Sequence, residues 1–345
     1  MLERWLGERL PAGAQPTIAS LVAPSANGMS SETLLLDAAW DEGGTRCSEA
    51  LVARIAPEET AVPVFQAYDL HRQFRVMQEV ARHTKVPVPR VLWSEPDTGP
   101  IGSPFFVMER IEGVVPPDVM PYTFGDNWLF GAAPADQRRL QDASVAVLAE
   151  LHQIPTSVFD FLPGAGHPSS LRAHLDAQKD FYEWAIAGIP RLPLVERLFG
   201  WLEDHWPAEE GPTVLSWGDS RIGNMMYRDF LPVAVLDWEM AALAPPEMDV
   251  AWMVFMHLVF EDLAAIFGLP GMSGFMLTDD VLTEYERHSG YTPRDLDFYV
   301  AYAALRWGVV SIRTQLRQIH FGGEPMPEDP DDLIMTRSTL ERLMS

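Results

Sequence analysis

Apolar residues change their spacing part-way along the chain. Leu2, Trp5, Leu6 and Leu10 recur at helical intervals, and Pro11 ends the run. Residues 17–23 and 32–39 read as strands, the second carrying the apolar run Leu34-Leu35-Leu36, with a small polar turn at 24–31 between them. A third strand is expected over 49–55. A helix is expected over 69–83, with Leu70, Phe74, Met77 and Val80 on one face. Pro87 and Pro89 exclude helix locally, so 86–93 should be extended. Residues 104–109 form a strongly apolar strand. From Asp136 onward the period becomes mostly helical. Helices are expected over 135–153, 171–187, 193–206, 249–267, 278–289 and 294–320, with a short one after the acidic, proline-rich loop 323–330. Two short buried strands, 214–217 and 233–236, interrupt this part. No internal repeat is visible. Strands followed by helices predict an α+β chain of two lobes rather than a doubly wound sheet.

With 345 residues, 47% of them apolar, the chain is long enough for a sizeable core. Its net charge of −24 argues against duplex DNA or an anionic membrane as partner, since both require clustered Lys and Arg. The same charge tolerates a cationic substrate, although solubility alone accounts for an acidic surface. Cys47 is the only cysteine, so no intrachain disulfide can form and a reducing compartment is expected. The nine histidines show no HxxxH or HExxH spacing. The polar N-terminal residues do not resemble a signal peptide. The longest apolar stretch, 250–260, is too short for a membrane span. A soluble cytoplasmic protein is the expectation.

One segment changes the picture. Trp217-Gly218-Asp219-Ser220-Arg221-Ile222-Gly223-Asn224 is followed by Leu236-Asp237-Trp238-Glu239. Asn224 comes five residues after Asp219, and Asp237 thirteen after that. On an α-helix a five-residue step puts side chains about 140° apart. A loop is therefore needed to bring Asp219 and Asn224 to one centre, and Gly218 and Gly223 permit its turns. Singly, Asp and Asn are common turn and cap residues. Together they form the set that phosphoryl transfer uses: a carboxylate facing a hydroxyl, and an amide and a carboxylate holding magnesium.

These spacings match the catalytic and metal-binding loops of protein kinases. The chain more closely resembles the aminoglycoside phosphotransferase family, also called the phosphotransferase enzyme family, of kinase-like fold. That family carries His-Gly-Asp-x-x-x-x-Asn and then Asp-Trp-Glu or similar. The resemblance extends to Pro245-Pro246-Glu247-Met248-Asp249-Val250-Ala251-Trp252, and back through 106–113 and 86–91. It implies a sheet-rich, nucleotide-binding N-lobe over 1–110 and a larger, mainly helical C-lobe over 111–345. It makes Asp219 the catalytic base or hydroxyl-orienting residue, and Asn224 and Asp237 the magnesium ligands. Arg221 lies where kinases place a basic residue near the transferred phosphate; a surface Arg paired with an acid is the other reading. Glu239 could assist a second metal or make a structural hydrogen bond.

ATP is the implied cofactor with Mg2+. Ser25, Asn27, Gly28 and Ser30 fall where the family has its nucleotide-covering loop, though a single glycine there cannot support a GxGxxG argument. Arg54, in Val52-Ala53-Arg54-Ile55, takes the place of the phosphate-pairing lysine. It should pair with a carboxylate on the next helix, where the aligned residue is Gln73 and Asp69 or Glu79 could substitute. Glu109, Arg110 and Ile111 belong to the hinge whose backbone would bond adenine. Trp217 stands in place of the usual histidine, and should fill its volume and donate one hydrogen bond. The resemblance implies a kinase acting on the hydroxyl of a small molecule. Family members act on aminoglycosides and on choline-like, macrolide and hydroxyacyl compounds. The Trp-, Phe- and Met-rich helices, with Trp184, Trp206, Trp252 and Trp307 among them, would suit an apolar hydroxylated acceptor if some lined its pocket. The alternative is a non-catalytic nucleotide-binding pseudokinase acting as an interaction module, favoured by Gln73, Trp217 and the glycine-poor loop.

Overall fold

The structure is a computed structural model that describes residues 1–23, 31–57, 62–323 and 325–344. Helix α1 (Leu2–Gly7) precedes strands β1 (Thr17–Val22), β2 (Glu32–Glu42) and β3 (Thr45–Ile55). Helix α2 (Leu70–His83) then leads to β4 (Val91–Glu95) and β5 (Phe105–Glu109). The strands make one antiparallel sheet in the order β1-β2-β3-β5-β4. Gly43 and Gly44, both at positive φ, close the β2–β3 hairpin, the backbone shape that a two-residue turn between twisted strands requires. Side chains alternate across the sheet. Leu51, Ala53 and Ile55 pack with Trp5 and Leu6 of α1 on one face, while Val52, Phe106 and Met108 join Phe74 and Met77 of α2 on the other. Arg54, one residue from both Ala53 and Ile55, therefore lies on the α2 side.

The remainder is mostly helical: α3 (Pro134–Leu151), α4 (Ser170–Ala185), α5 (Pro193–Asp204), α6 (Glu247–Ile266), α7 (Thr278–Ser289), α8 (Leu296–Gly322) and α9 (Arg337–Leu343). Helix α6 is apolar nearly all round and is buried along most of its length, as such a helix must be. It packs against α8. Between α5 and α6 lie β6 (Val214–Ser216), β7 (Met225–Arg228), β8 (Leu231–Val235) and β9 (Ala242–Ala244).

The two short strands expected on either side of the key loop are present, and each has a partner that the sequence did not show: β6 pairs with β9, while β8 pairs with β7 in a hairpin turned by Asp229 and Phe230, both at positive φ. Strands of three or four residues are too short to show a period of two, so β7 and β9 are invisible to a reading by alternation. Within the stretch 86–93, which carries no helix, pairing into a strand begins at Val91. Among the described residues, no helix is long and apolar enough to cross a membrane.

Candidate active site

The loop from Trp217 to Asn224 runs from the end of β6 to the start of β7, and Asp249 in the first turn of α6 holds its entrance. The Asp249 carboxylate accepts bonds from Trp217 N (2.7 Å), Gly218 N (2.9 Å) and Ser216 Oγ (2.9 Å), and lies 3.1 Å from His152 Nε2. Its own carbonyl accepts from Ser220 Oγ at 2.8 Å. Burial, the largest influence, would raise its pKa. The His152 hydrogen bond and charge, with the two backbone N–H groups, outweigh burial and hold the carboxyl below its ordinary value. Gly218 has φ +92°, and a Cβ there would sit 2.2 Å from Met240 O, so only glycine fits.

Trp217 is fully buried, and its Nε1 donates to both Leu236 O (2.9 Å) and Asp237 O (3.1 Å). It thereby ties the Asp219 loop to the Asp237 turn. Replacing Trp217 with Phe keeps an aromatic ring but leaves those carbonyls without their donor. We expect a loss of about 1–3 kcal/mol in unfolding free energy, read by denaturant titration.

The loop brings the three expected residues together. Asp219 accepts from Trp252 Nε1 (2.7 Å), Asn224 Nδ2 (2.7 Å) and Arg221 Nε (3.1 Å). Asn224 closes a short 3₁₀ turn, Ile222–Asn224, and its carbonyl accepts Leu236 N at 2.9 Å, which brings the turn up to Asp237. Asp237 lies at positive φ (59°). Its Oδ1 is shielded from solvent and has no hydrogen-bond donor among the described residues. Burial first, and then the Asp219 charge, raise the Asp237 pKa; Arg54 and Arg221 oppose them. An acceptor-only oxygen without a donor calls for a cation. Asn224 donates through Nδ2, which leaves its amide oxygen for the same purpose. Two oxygen ligands beside a carboxylate suit a hard divalent ion such as magnesium.

Arg221 also forms an ion pair with Asp118 at 2.5 Å, as well as with Asp219. Burial would lower its pKa, but Asp219, Asp118 and Asp237 together raise it, so it is cationic at every working pH. Arg221 thus pairs with two acids, one of which is Asp219.

On the N-terminal sheet, the carboxylate partner expected for Arg54 on α2 is absent among the described residues. Gln73 is buried, with Nε2 unpartnered among the described residues. Asp69 caps α2 by accepting Arg72 N (2.8 Å), and Glu79 engages Arg82 and His83. Arg54 donates to Thr33 Oγ1 at 3.2 Å and acts electrostatically on Asp237, across the cleft from its own sheet. Its second terminal nitrogen is buried without a partner among the described residues. At the hinge, Glu109 N and Arg110 N donate to Arg90 O and Ala50 O, and the Arg110 side chain turns to Asp37. The N–H groups of Glu109 and Arg110 are thus committed to the sheet, and Ile111 lies just past them. Ser25, Asn27, Gly28 and Ser30 lie outside the described residues.

Sequence reasoning named Asp249 and Trp252 within the family-like segment but not their contacts to this loop, and it missed Arg306 and Asp118. Asp249 and Trp252 stand three apart on α6, facing the same loop. Arg306 is a lone cation inside the apolar run of α8, and its guanidinium donates to Gly218 O (2.9 Å) over the Trp252 ring. A charge within a buried stripe is the signal that could have marked it. Beside Gly218 and Met240 opens a cavity of about 250 Å³, walled by Phe65, Tyr68 and Phe181. None of Trp184, Trp206, Trp252 and Trp307 lines it.

A family model for the phosphotransferase enzyme family matches residues 39–270. Among curated proteins, the mouse acyl-CoA dehydrogenase family member 10 is 28% identical over 267 residues, which is 74% of this chain and 23% of that protein. The chain thus spans about a quarter of that relative's length. A Ralstonia eutropha crystal structure assigned as an aminoglycoside phosphotransferase superposes with a TM-score of 0.67 at 22% identity, covering 99% of this chain and 95% of that one. A thermostable aminoglycoside phosphotransferase in ternary complex with ADP and hygromycin B gives a TM-score of 0.56 at 16% identity, with coverages of 99% and 97%. The fold is the kinase-like one of these phosphotransferases, and the chain belongs to the phosphotransferase enzyme family.

Proposed function

We propose that the protein is an ATP-dependent kinase that transfers the γ-phosphoryl group to a hydroxyl of a small molecule. The observation that carries this reading is the orphaned Oδ1 of Asp237 beside Asn224 and Asp219. The ADP complex of the hygromycin-binding relative supports nucleotide use. Asn224 and Asp237 would hold magnesium, which supplies charge neutralisation at the phosphate oxygens. Arg54, with an unpartnered buried nitrogen, would bond a phosphate oxygen, and the Ile111 backbone would meet the adenine.

Asp219, fixed by Trp252, Arg221 and Asn224, would orient the acceptor hydroxyl for in-line attack. The hydroxyl oxygen bonds to the γ-phosphorus as the β,γ-bridging bond breaks, ADP leaves, and the proton passes to Asp219. Arg221 would offset the charge that develops on the phosphoryl group. Most of the acceleration comes from positioning and electrostatics.

The acceptor would enter the cavity beside Gly218. Its aromatic wall supports an apolar hydroxylated compound, and the names of the curated relatives favour one with an acyl body. Asp237→Asn should weaken Mg2+-dependent ATP binding by about tenfold or more while leaving metal-free nucleotide binding unchanged, read by calorimetry. Equal Mg-ATP affinity in both proteins would remove Asp237 from the metal site. Tight Mg-ATP binding without ADP release from any hydroxylated acceptor would favour the non-catalytic reading that Gln73 suggests.

A further inference from the structure

The wall of the cavity beside Gly218 carries two guanidinium groups, Arg72 and Arg306, each with a buried donor left unmade among the described residues. Arg306 is 1% exposed, and Arg72, in the first turn of α2, is half-buried. The Nε of each is shielded from solvent and has no hydrogen-bond partner among the described residues. Asp249 and Asp219, which act electrostatically on Arg306, do not line the cavity. A buried donor left unmade is costly, and two in one cavity wall call for a ligand that completes them.

The rest of the wall narrows that ligand. Of the acids lining it, Asp69 is engaged in capping α2, and Glu239 follows the metal-site Asp237 by two residues, at the catalytic end. His174 adds no charge: low solvent access first, and then the Arg306 charge, lower its pKa to about 3, and its Nδ1 meets Tyr302 Oη at 2.5 Å. The Phe65 and Phe181 rings stack at 5.8 Å and present an apolar surface. A guanidinium fork matches a carboxylate or phosphate and repels an ammonium group.

We infer that the phosphoryl acceptor carries an anionic group, a carboxylate or a phosphate, which Arg72 and Arg306 hold in this cavity while its apolar body lies against Phe65 and Phe181. This rests on the kinase reading above for the reacting hydroxyl, and departs from a polycationic aminoglycoside. With about 250 Å³ available, the cavity takes a compact acceptor or the anionic end of a longer one.

The test is calorimetric titration of the full chain, with the nucleotide site saturated by Mg-ADP, using hexanoate, hexyl phosphate, hexanamide and hexylamine. At least one anion should bind about ten- to a hundredfold more tightly than the amide and the amine, the worth of a charge-assisted hydrogen bond. Whether hexanoate or hexyl phosphate binds more tightly identifies the anion. Arg72→Gln should abolish the preference while keeping wild-type Mg-ADP affinity and unfolding temperature, and Arg72→Lys should restore part of it. The inference is overturned if neither anion binds, if amide or amine binds equally well, or if the preference survives in Arg72→Gln. None of these measurements involves turnover, so their failure is separable from failure of the kinase reading.

Discussion

Asp219→Asn should lower acceptor-dependent ADP release by about 10²–10⁴-fold while Mg-ATP binds as in the wild type. The substitution is nearly isosteric, but the chemistry is not. The Asp219 carboxylate takes three N–H donors, from Trp252, Asn224 and Arg221. An amide at this position turns its own NH2 toward at least one of them, and it can no longer accept the hydroxyl proton. Asp219 belongs to neither the pair assigned to magnesium nor the residues assigned to the adenine, so nucleotide affinity should survive. Rapid-quench turnover beside calorimetry of ATP binding separates the two effects. Wild-type turnover in Asp219→Asn would sink the assignment of the base. Loss of nucleotide affinity in step with turnover would mean that the loop had collapsed instead.

The second large effect is on folding. Asp249→Ala leaves Ser216 Oγ, Trp217 N, Gly218 N and His152 Nε2 without their shared acceptor in a fully buried place. Removing one partner from a buried charged network costs about 3–5 kcal/mol, and chemical denaturation should show a drop of that order. The pH dependence gives an independent check. The folded-state pKa of Asp249 is depressed, so its contribution is fully present above the ordinary carboxylate value and is lost as pH falls through the folded value. The stability gap between wild type and Asp249→Ala should therefore be widest near neutrality and shrink in acid. A gap independent of pH would show that the carboxylate's charge does not matter there.

Long periodic elements were legible in the sequence. Helix α7 occupies 278–289, the residues its pattern marks, and the other main helices begin and end within a few residues of their patterns. Asp219, Asn224 and Asp237 could be grouped from spacing alone because a short loop and a tight turn carry all three. What the sequence did not disclose depends on contacts between distant segments. Arg54 was matched to the next helix, where Gln73 offers no charge; its electrostatic partner, Asp237, is far along the chain and reached only when the sheet closes over the loop. Arg306 reaches Gly218 from α8, some ninety residues away, and Asp118 reaches Arg221 from the segment after the sheet. The aromatic wall of the cavity comes from Phe65 and Phe181 rather than from the tryptophan-rich helices, because those tryptophans pack into the core or cover its edges.

Trp217 fills the place where the family motif carries histidine, and the exchange alters more than shape. An imidazole there would gain a proton near pH 6.5, and protonation would change the bonds that connect the two catalytic segments. An indole N–H neither gains nor loses a proton across the physiological range, and it donates to the backbone of residues 236 and 237 in every condition the protein meets. The link between the two segments at residue 217 therefore does not titrate, and the acid sensitivity of this loop enters through Asp249 instead. The acidic limb of its rate profile should carry contributions from the reacting groups and from Asp249, and none from residue 217.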